Sequence, residues 1–205
     1  METHRDNITK KKLEIFLQSL SKYESYDISL EQYPTDSITA STLLWNAFFD
    51  GNIFEKNVMD LGTGNGILAI GAKYLGASAV TGIDKDQKMI DLAKENATKK
   101  GLNVNFVNVD IQDVAGKYDT VIMNAPFGSV VKHSDLPFID TAFMIGNNIY
   151  GIHNYKSLDF LKEYYSKRGE IKRIDLVEIN IPMIYPHHKK KYYGIKSAVF
   201  SVVNK

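Results

Sequence analysis

The chain contains no cysteine. Disulfides, thiolate metal sites and cysteine nucleophiles are therefore excluded within it. Proline is scarce, at five residues, and neither a low-complexity segment nor an internal repeat is found. No apolar run approaches the roughly 18 residues of a membrane-spanning helix, so none is expected. An apolar leader is missing too. Met1-Glu2-Thr3-His4 is polar and the chain runs on into Lys10-Lys11-Lys12, which predicts a cytoplasmic protein without a secretory signal. Charge of one sign is also lacking, for the net charge is +1. Proteins held to nucleic acid by bulk phosphate attraction are far more basic, so any RNA contact has to use local clusters or a partner's basic surface. What remains is an ordinary globular composition, 44% hydrophobic and 24% charged over 205 residues. That predicts one domain over 1–205 with a real core.

Leu13, Phe16, Leu17 and Leu20 recur at helical spacing and predict an amphipathic helix. After a polar link, Thr35 or Asp36 can cap a second helix through Leu43, Leu44 and Phe48 to Asp50-Gly51. From Asn57 strands and helices alternate. Strands are expected at Val58–Leu61, Ala79–Asp84, Val104–Val107 and Tyr118–Met123. Between them lie a helix over Ile67–Tyr74 and another carrying Met89, Ile90 and Ala93 and ending at Gly101. Such alternation argues for a parallel sheet covered on both faces. Beyond Pro126 the pattern predicts a loop, a helix from about Phe138, a short strand near Ile149 and a helix over Leu158–Tyr165. Two longer strands, Ile171–Ile181 and Tyr193–Val203, close the chain.

Asp60-Leu61-Gly62-Thr63-Gly64-Asn65-Gly66 sits where the first strand meets a helix. Glycines there let backbone approach a ligand, and the helix N-terminus offers unpaired N–H groups. The spacing is G-x-G-x-G, not the dinucleotide G-x-G-x-x-G, which argues against an oxidoreductase. Asp84 ends the second strand about 20 residues on, where a carboxylate takes both hydroxyls of a ribose; it can equally cap the next helix. Asp110-Ile111 follows the third strand, an acid and an apolar neighbour suited to an adenine ring. Each feature alone is ordinary. Three acid-bearing strand ends in succession point to an adenosine pocket.

Asn124-Ala125-Pro126-Phe127 follows the fourth strand on the same edge. An exocyclic amino group such as adenine N6 is a poor nucleophile, because its lone pair is delocalised into the ring. It needs acceptors that hold its hydrogens and favour a tetrahedral nitrogen. The Asn124 side-chain carbonyl and the Ala125 backbone carbonyl supply two. Pro126 holds Ala125 extended, and Phe127 offers a face for a flipped base. In isolation the string would be a turn with a core Phe; behind the glycine loop and Asp84 it reads as a reaction site.

Together these residues resemble the amino-methyltransferases with the signature Asn/Asp-Pro-Pro-Phe/Tyr. The sequence is most similar to the small-subunit ribosomal RNA adenine-N6 methyltransferases of the methyltransferase-like protein five kind. The similarity rests on Leu30-Glu31-Gln32-Tyr33-Pro34-Thr35, on Val121 to Gly128, and on His187-His188-Lys189-Lys190-Lys191. It implies an α/β, Rossmann-like class I methyltransferase with a mostly parallel seven-stranded sheet and helices on both faces. Residues 1–50 would form a helical, cofactor-covering segment packed on it. S-adenosylmethionine would be the cofactor, held by Gln32, Thr35, Asp60, Gly62, Gly64, Asn65, Ile67, Asp84, Asp110 and Ile111. Asn124, Ala125, Pro126 and Phe127 would hold the adenine. A small zinc-binding activator subunit is implied as partner. Ala125 departs from the family's proline, which keeps the carbonyl but loses a rigid ring.

Lys132, His187, His188, Lys189, Lys190 and Lys191 are candidate RNA contacts, since lysines grip phosphates and Tyr192-Tyr193 beside them can stack. A lysine run is also what a solvated hairpin tip looks like. Two adjacent histidines make no metal site. Three other readings stay open: transfer to protein glutamine, transfer to a small amine, and a non-catalytic RNA-binding module of the same fold.

Overall fold

The computed structural model describes residues 8–22, 35–127, 134–182 and 192–205. Helix α1 spans Lys10–Gln18, capped by the Thr9 side chain on Lys12 N. It stops short of the expected Leu20, its end tightening as Ser19 N and Leu20 N bond to the Phe16 and Leu17 carbonyls, each at 3.2 Å. Helix α2 runs Ser37–Phe49, and its cap is Asp36 rather than Thr35, the Asp36 carboxylate accepting from Ile38 N and Thr39 N. A short side chain at this position satisfies amides that would otherwise lack partners.

Strand β1 (Asn57–Leu61), helix α3 (Ile67–Tyr74), strand β2 (Ala79–Asp84), helix α4 (Gln87–Lys99), strand β3 (Asn105–Asn108) and strand β4 (Tyr118–Asn124) follow in the expected alternation. Then come α5 (Leu136–Ile145), β5 (Gly146–Asn154), α6 (Leu158–Ser166), β6 (Gly169–Pro182) and β7 (Tyr192–Asn204). Strand β5 is nine residues long, not short. Its polar residues Asn148 and His153 disguise a strand that pairs with β4 on one side and β7 on the other.

The sheet is seven-stranded in the order β3-β2-β1-β4-β5-β7-β6. Strands β1 to β5 are parallel, and β7 runs antiparallel to both its neighbours. Alternate side chains of each central strand go to opposite faces. Val58 and Ile122 join the α1–α4 side, while Met59, Val121 and Met123 join the α5–α6 side. Leu13 and Leu17 of α1, Leu43 and Leu44 of α2 and Ile70 of α3 are all essentially unexposed. Burying each such side chain contributes roughly 1.5–3 kcal/mol. The N-terminal helices thus belong to the same core as the sheet.

Chain order reverses between β1 and its two neighbours, β2 and β4. Ligands of open α/β sheets bind at such a switch point, beyond the carboxyl ends of the strands. The exits of β1, β2, β3 and β4 all fall on that edge. Among the described residues no helix is long and apolar enough to cross a membrane.

Candidate active site

The loop leaving β1 is built on left-handed backbone. Gly62, Gly64 and Gly66 have φ of 69°, 54° and 85°. The three differ in what surrounds them. A Cβ on Gly66 would stand 3.0–3.1 Å from Ile70, Ala93 and Phe106, so that glycine exists for packing. A Cβ on Gly64 would meet nothing within 4 Å. The loop therefore presents open space at Gly64.

Asp60, one residue before the end of β1, is fully buried. Its Oδ2 accepts from Thr63 Oγ1 at 2.7 Å and from Ala69 N at 3.0 Å. Its Oδ1 has no hydrogen-bond partner among the described residues. Burial pushes the carboxyl up to about 7, against the pull of the Thr63 and Ala69 hydrogen bonds, with the nearby Asp84 charge adding to the rise. An unpaired buried carboxylate oxygen is costly, and a cationic ammonium is the group that would relieve it.

Asp84, the last residue of β2, accepts from Gly64 N at 2.9 Å and from Asp86 N at 3.0 Å. Burial raises its pKa, offset in part by these two bonds. The helix-cap role falls instead to Asp86, whose side chain accepts from Lys88 N at 2.9 Å. Asp110 Oδ1 accepts from Gln112 N at 3.1 Å and caps a short 3-10 turn, Ile111–Asp113. Ile111 packs half-buried against the α5–α6 side of the core.

The Asn65 side chain donates to the Ser21 carbonyl at 3.1 Å. Asn96 of α4, 1% exposed, donates to that same carbonyl and to the Asn65 carbonyl, each at 3.0 Å. It also accepts from Ser21 N at 2.9 Å. The end of α1 is thereby fastened to the glycine loop. Sequence reading missed Asn96. Its one signal is a polar residue in the buried register of Met89, Ile90, Ala93 and Ala97.

Asn124 ends β4. Its Nδ2 donates to the Thr35 hydroxyl at 2.8 Å. Its Oδ1 is buried and has no partner among the described residues. Ala125 is buried, and Phe127, 8% exposed, belongs to the core under α1 to α4. Its ring is committed to packing, so stacking on a base requires it to leave that cluster. Leu61 pairs with Ile83 on one side and Met123 on the other. Asp84 and Asn124 therefore stand one residue further along, about 10 Å apart at two strand spacings, with the glycine loop between them. A nucleoside carrying a reactive group fits that span. Ile67, 6% exposed, lies in the core under α3. Gln32, Lys132, His187, His188, Lys189, Lys190 and Lys191 lie outside the described residues.

A model of the ribosomal protein L11 methyltransferase (PrmA) family matches residues 44–131, which hold the glycine loop and Asn124–Phe127. The chain is 42% identical to an uncharacterized protein of Methanocaldococcus jannaschii, covering 95% of this chain and 94% of that one. It is 35% identical to the rRNA N(6)-adenosine-methyltransferase METTL5 of Danio rerio, over 91% of this chain and 94% of its relative. A crystal structure from Pyrococcus horikoshii superposes with a TM-score of 0.89 at 33% identity, covering 96% and 98% of the two chains.

Proposed function

The chain belongs to the METTL5 family of rRNA N(6)-adenosine-methyltransferases, and from that premise we propose that it methylates N6 of an adenine in small-subunit ribosomal RNA. The fold is that of the class I methyltransferases, and the cofactor is S-adenosylmethionine. The residues present fit this group. Open space at Gly64 admits it, Asp60 Oδ1, without a partner among the described residues, is an acceptor for its amino group, and Asp84 stands where ribose hydroxyls are taken. When bound, the cofactor supplies an electrophilic methyl group on a sulfonium.

Asn124 Oδ1, buried and without a partner among the described residues, carries the reading. A buried carbonyl without a donor is an acceptor waiting for one, and an exocyclic amino group brings two hydrogens. Asn124 Oδ1 takes one and the Ala125 carbonyl the other. Both acceptors draw the lone pair out of conjugation and aim it away from the two bonded hydrogens. Pro126 keeps Ala125 extended. Gln32, Thr35, Gly62, Asn65, Ile67, Asp110 and Ile111 complete the cofactor site in this reading. Lys132, His187, His188, Lys189, Lys190 and Lys191 meet RNA phosphates. Strand β3 is an outer strand with Val107 exposed, an edge to which a small zinc-binding activator subunit adds its own strand. The same reading puts the protein's work in the cytoplasm.

Transfer to a protein is the second reading, favoured by the match to the L11 methyltransferase family. That match takes in both the glycine loop and Asn124–Phe127 but stops at residue 131, whereas the rRNA methyltransferase relative is matched over 91% of the chain. Titrating small-subunit ribosomal RNA at several salt concentrations, followed by nucleoside analysis, separates the two. Salt-dependent binding with N6-methyladenosine in the product supports RNA; salt-independent binding with unmodified nucleosides contradicts it.

A further inference from the structure

We infer that Thr35 is a positioning residue that anchors one end of the Asn124 amide so that the other end meets the substrate. This rests on the role given to Asn124 above. An asparagine amide is nearly symmetric in shape, yet its two ends are chemically opposite: one accepts, the other donates twice. Turned the wrong way, Asn124 would set an NH2 against the substrate's own NH2, donor against donor. The structure has Nδ2 bonded to Thr35 Oγ1 at 2.8 Å and leaves Oδ1 buried and without a partner among the described residues.

Thr35 can hold that end because it is itself held. It is 9% exposed and directly precedes Asp36, the cap of α2. Asp36 Oδ1 accepts from Ile38 N and Thr39 N, both at 3.0 Å, and Oδ2 accepts from the Thr39 hydroxyl at 2.8 Å. Thr39 is completely buried. A helix cap thus fixes the backbone of Thr35, and Thr35 fixes the amide at the end of β4. Only with the carbonyl outward can both ends of Asn124 be paired once an amino group arrives, Nδ2 to the threonine and Oδ1 to the substrate. The sequence separation is 89 residues, so the arrangement exists only in the fold.

Two variants test it: Thr35→Val, which keeps the shape and removes the hydroxyl, and Thr35→Ser, which keeps the hydroxyl. The first readout needs no substrate. The nitrogen-15 side-chain amide resonance of Asn124, identified by its loss in Asn124→Ala, should be protected from solvent exchange in the wild type and in Thr35→Ser, and unprotected in Thr35→Val. The second is methyl transfer to small-subunit ribosomal RNA. Thr35→Val should lower kcat by about tenfold or more, the scale of losing one preorganised polar contact. Its Tm should stay near wild type, its kcat should fall by a larger factor than its cofactor affinity, and Thr35→Ser should recover most of the rate. An unchanged kcat or amide resonance in Thr35→Val overturns the role. So does a loss confined to cofactor affinity, which would leave Thr35 a cofactor contact alone. Wild-type protein that leaves RNA adenines unmodified, while the amide behaves as described, overturns the adenine reading and this role with it, yet leaves the hydrogen bond standing.

Discussion

The backbone amide of Gly64 donates to Asp84 Oδ2 at 2.9 Å, tying the loop after β1 to the end of β2. The other oxygen accepts from Asp86 N at 3.0 Å. Each oxygen keeps lone-pair capacity for a further donor, and the carboxyl has been raised by burial. Asp84→Ala should weaken S-adenosylmethionine binding by roughly 1.5–3 kcal/mol, the scale of charge-assisted hydrogen bonds. Asp86→Ala is the control. It removes a helix cap, costs about 1 kcal/mol of stability, and should weaken cofactor affinity far less than Asp84→Ala does. Calorimetry with the two variants checks both, and unchanged binding in Asp84→Ala removes that residue from the pocket.

Gly64 and Gly66 should respond differently to the same substitution. Both have positive φ, so alanine at either pays a left-handed strain of about 1–2 kcal/mol. Gly66→Ala also drives a methyl against Ile70, Ala93 and Phe106 and should lower Tm clearly more. Gly64→Ala meets open space and should lose mainly cofactor affinity. Equal Tm losses with equal affinity losses would show that the two glycines do one job.

Asp60 and His153 give opposing pH dependences. Asp60 keeps its proton in the folded state up to about 7, while the unfolded chain sheds it near the ordinary carboxylate value. That contribution to stability falls as pH rises through the same window. His153 is buried, with Nε2 on the Tyr165 hydroxyl at 2.8 Å, and burial lowers it to about 3. It is neutral at working pH, so the 3.9 Å approach of Asp135 to Nδ1 is not an ion pair. The unfolded chain takes up its proton near 6.5, and stability is lost as pH falls below that value toward about 3. Each slope is at most about 1.4 kcal/mol per pH unit, they have opposite signs, and they overlap between about pH 4 and 6.5. Wild-type denaturation midpoints should be nearly flat there. Asp60→Asn should unmask a loss of stability on acidification; a variant as flat as the wild type contradicts the burial of either charge. Cofactor binding should also tighten as pH rises through about 7, since an ammonium favours the ionised carboxylate, and Asp60→Asn should abolish that dependence.

Much of this was legible locally. The β1–α3–β2–α4 run is written in apolar periodicity and punctuated by glycines with positive φ at Gly62, Gly66, Gly76 and Gly101. Asp60, Asp84 and Asn124 stood out because an acid or amide at a strand end has few structural duties. Local pattern failed where polar residues serve a buried strand, as in β5, where Asn148 Nδ2 reaches the Asp119 carbonyl at 3.0 Å. In β6 the expected Ile171–Ile181 strand lies within Gly169–Pro182 despite a bulge between Ile171 and Arg173. The links that assemble the site were invisible. Asn96 to Ser21 crosses 75 residues and Asn124 to Thr35 crosses 89. Nothing in the neighbourhood of either residue announces its partner. The cap was ambiguous between Thr35 and Asp36 in the sequence, and its resolution matters: Asp36 takes the helix and so releases Thr35 for Asn124.

Transfer of tritium from labelled S-adenosylmethionine to small-subunit ribosomal RNA, read as labelled nucleosides for wild type and Asn124→Ala side by side, is the most direct test. Asn124→Ala removes the acceptor at the end of β4 without touching the glycine loop, so cofactor binding should stay within about twofold while transfer falls by at least about a hundredfold. Label in N6-methyladenosine that disappears in the variant is the predicted result. Label in another nucleoside, or equal label from both proteins, would contradict it.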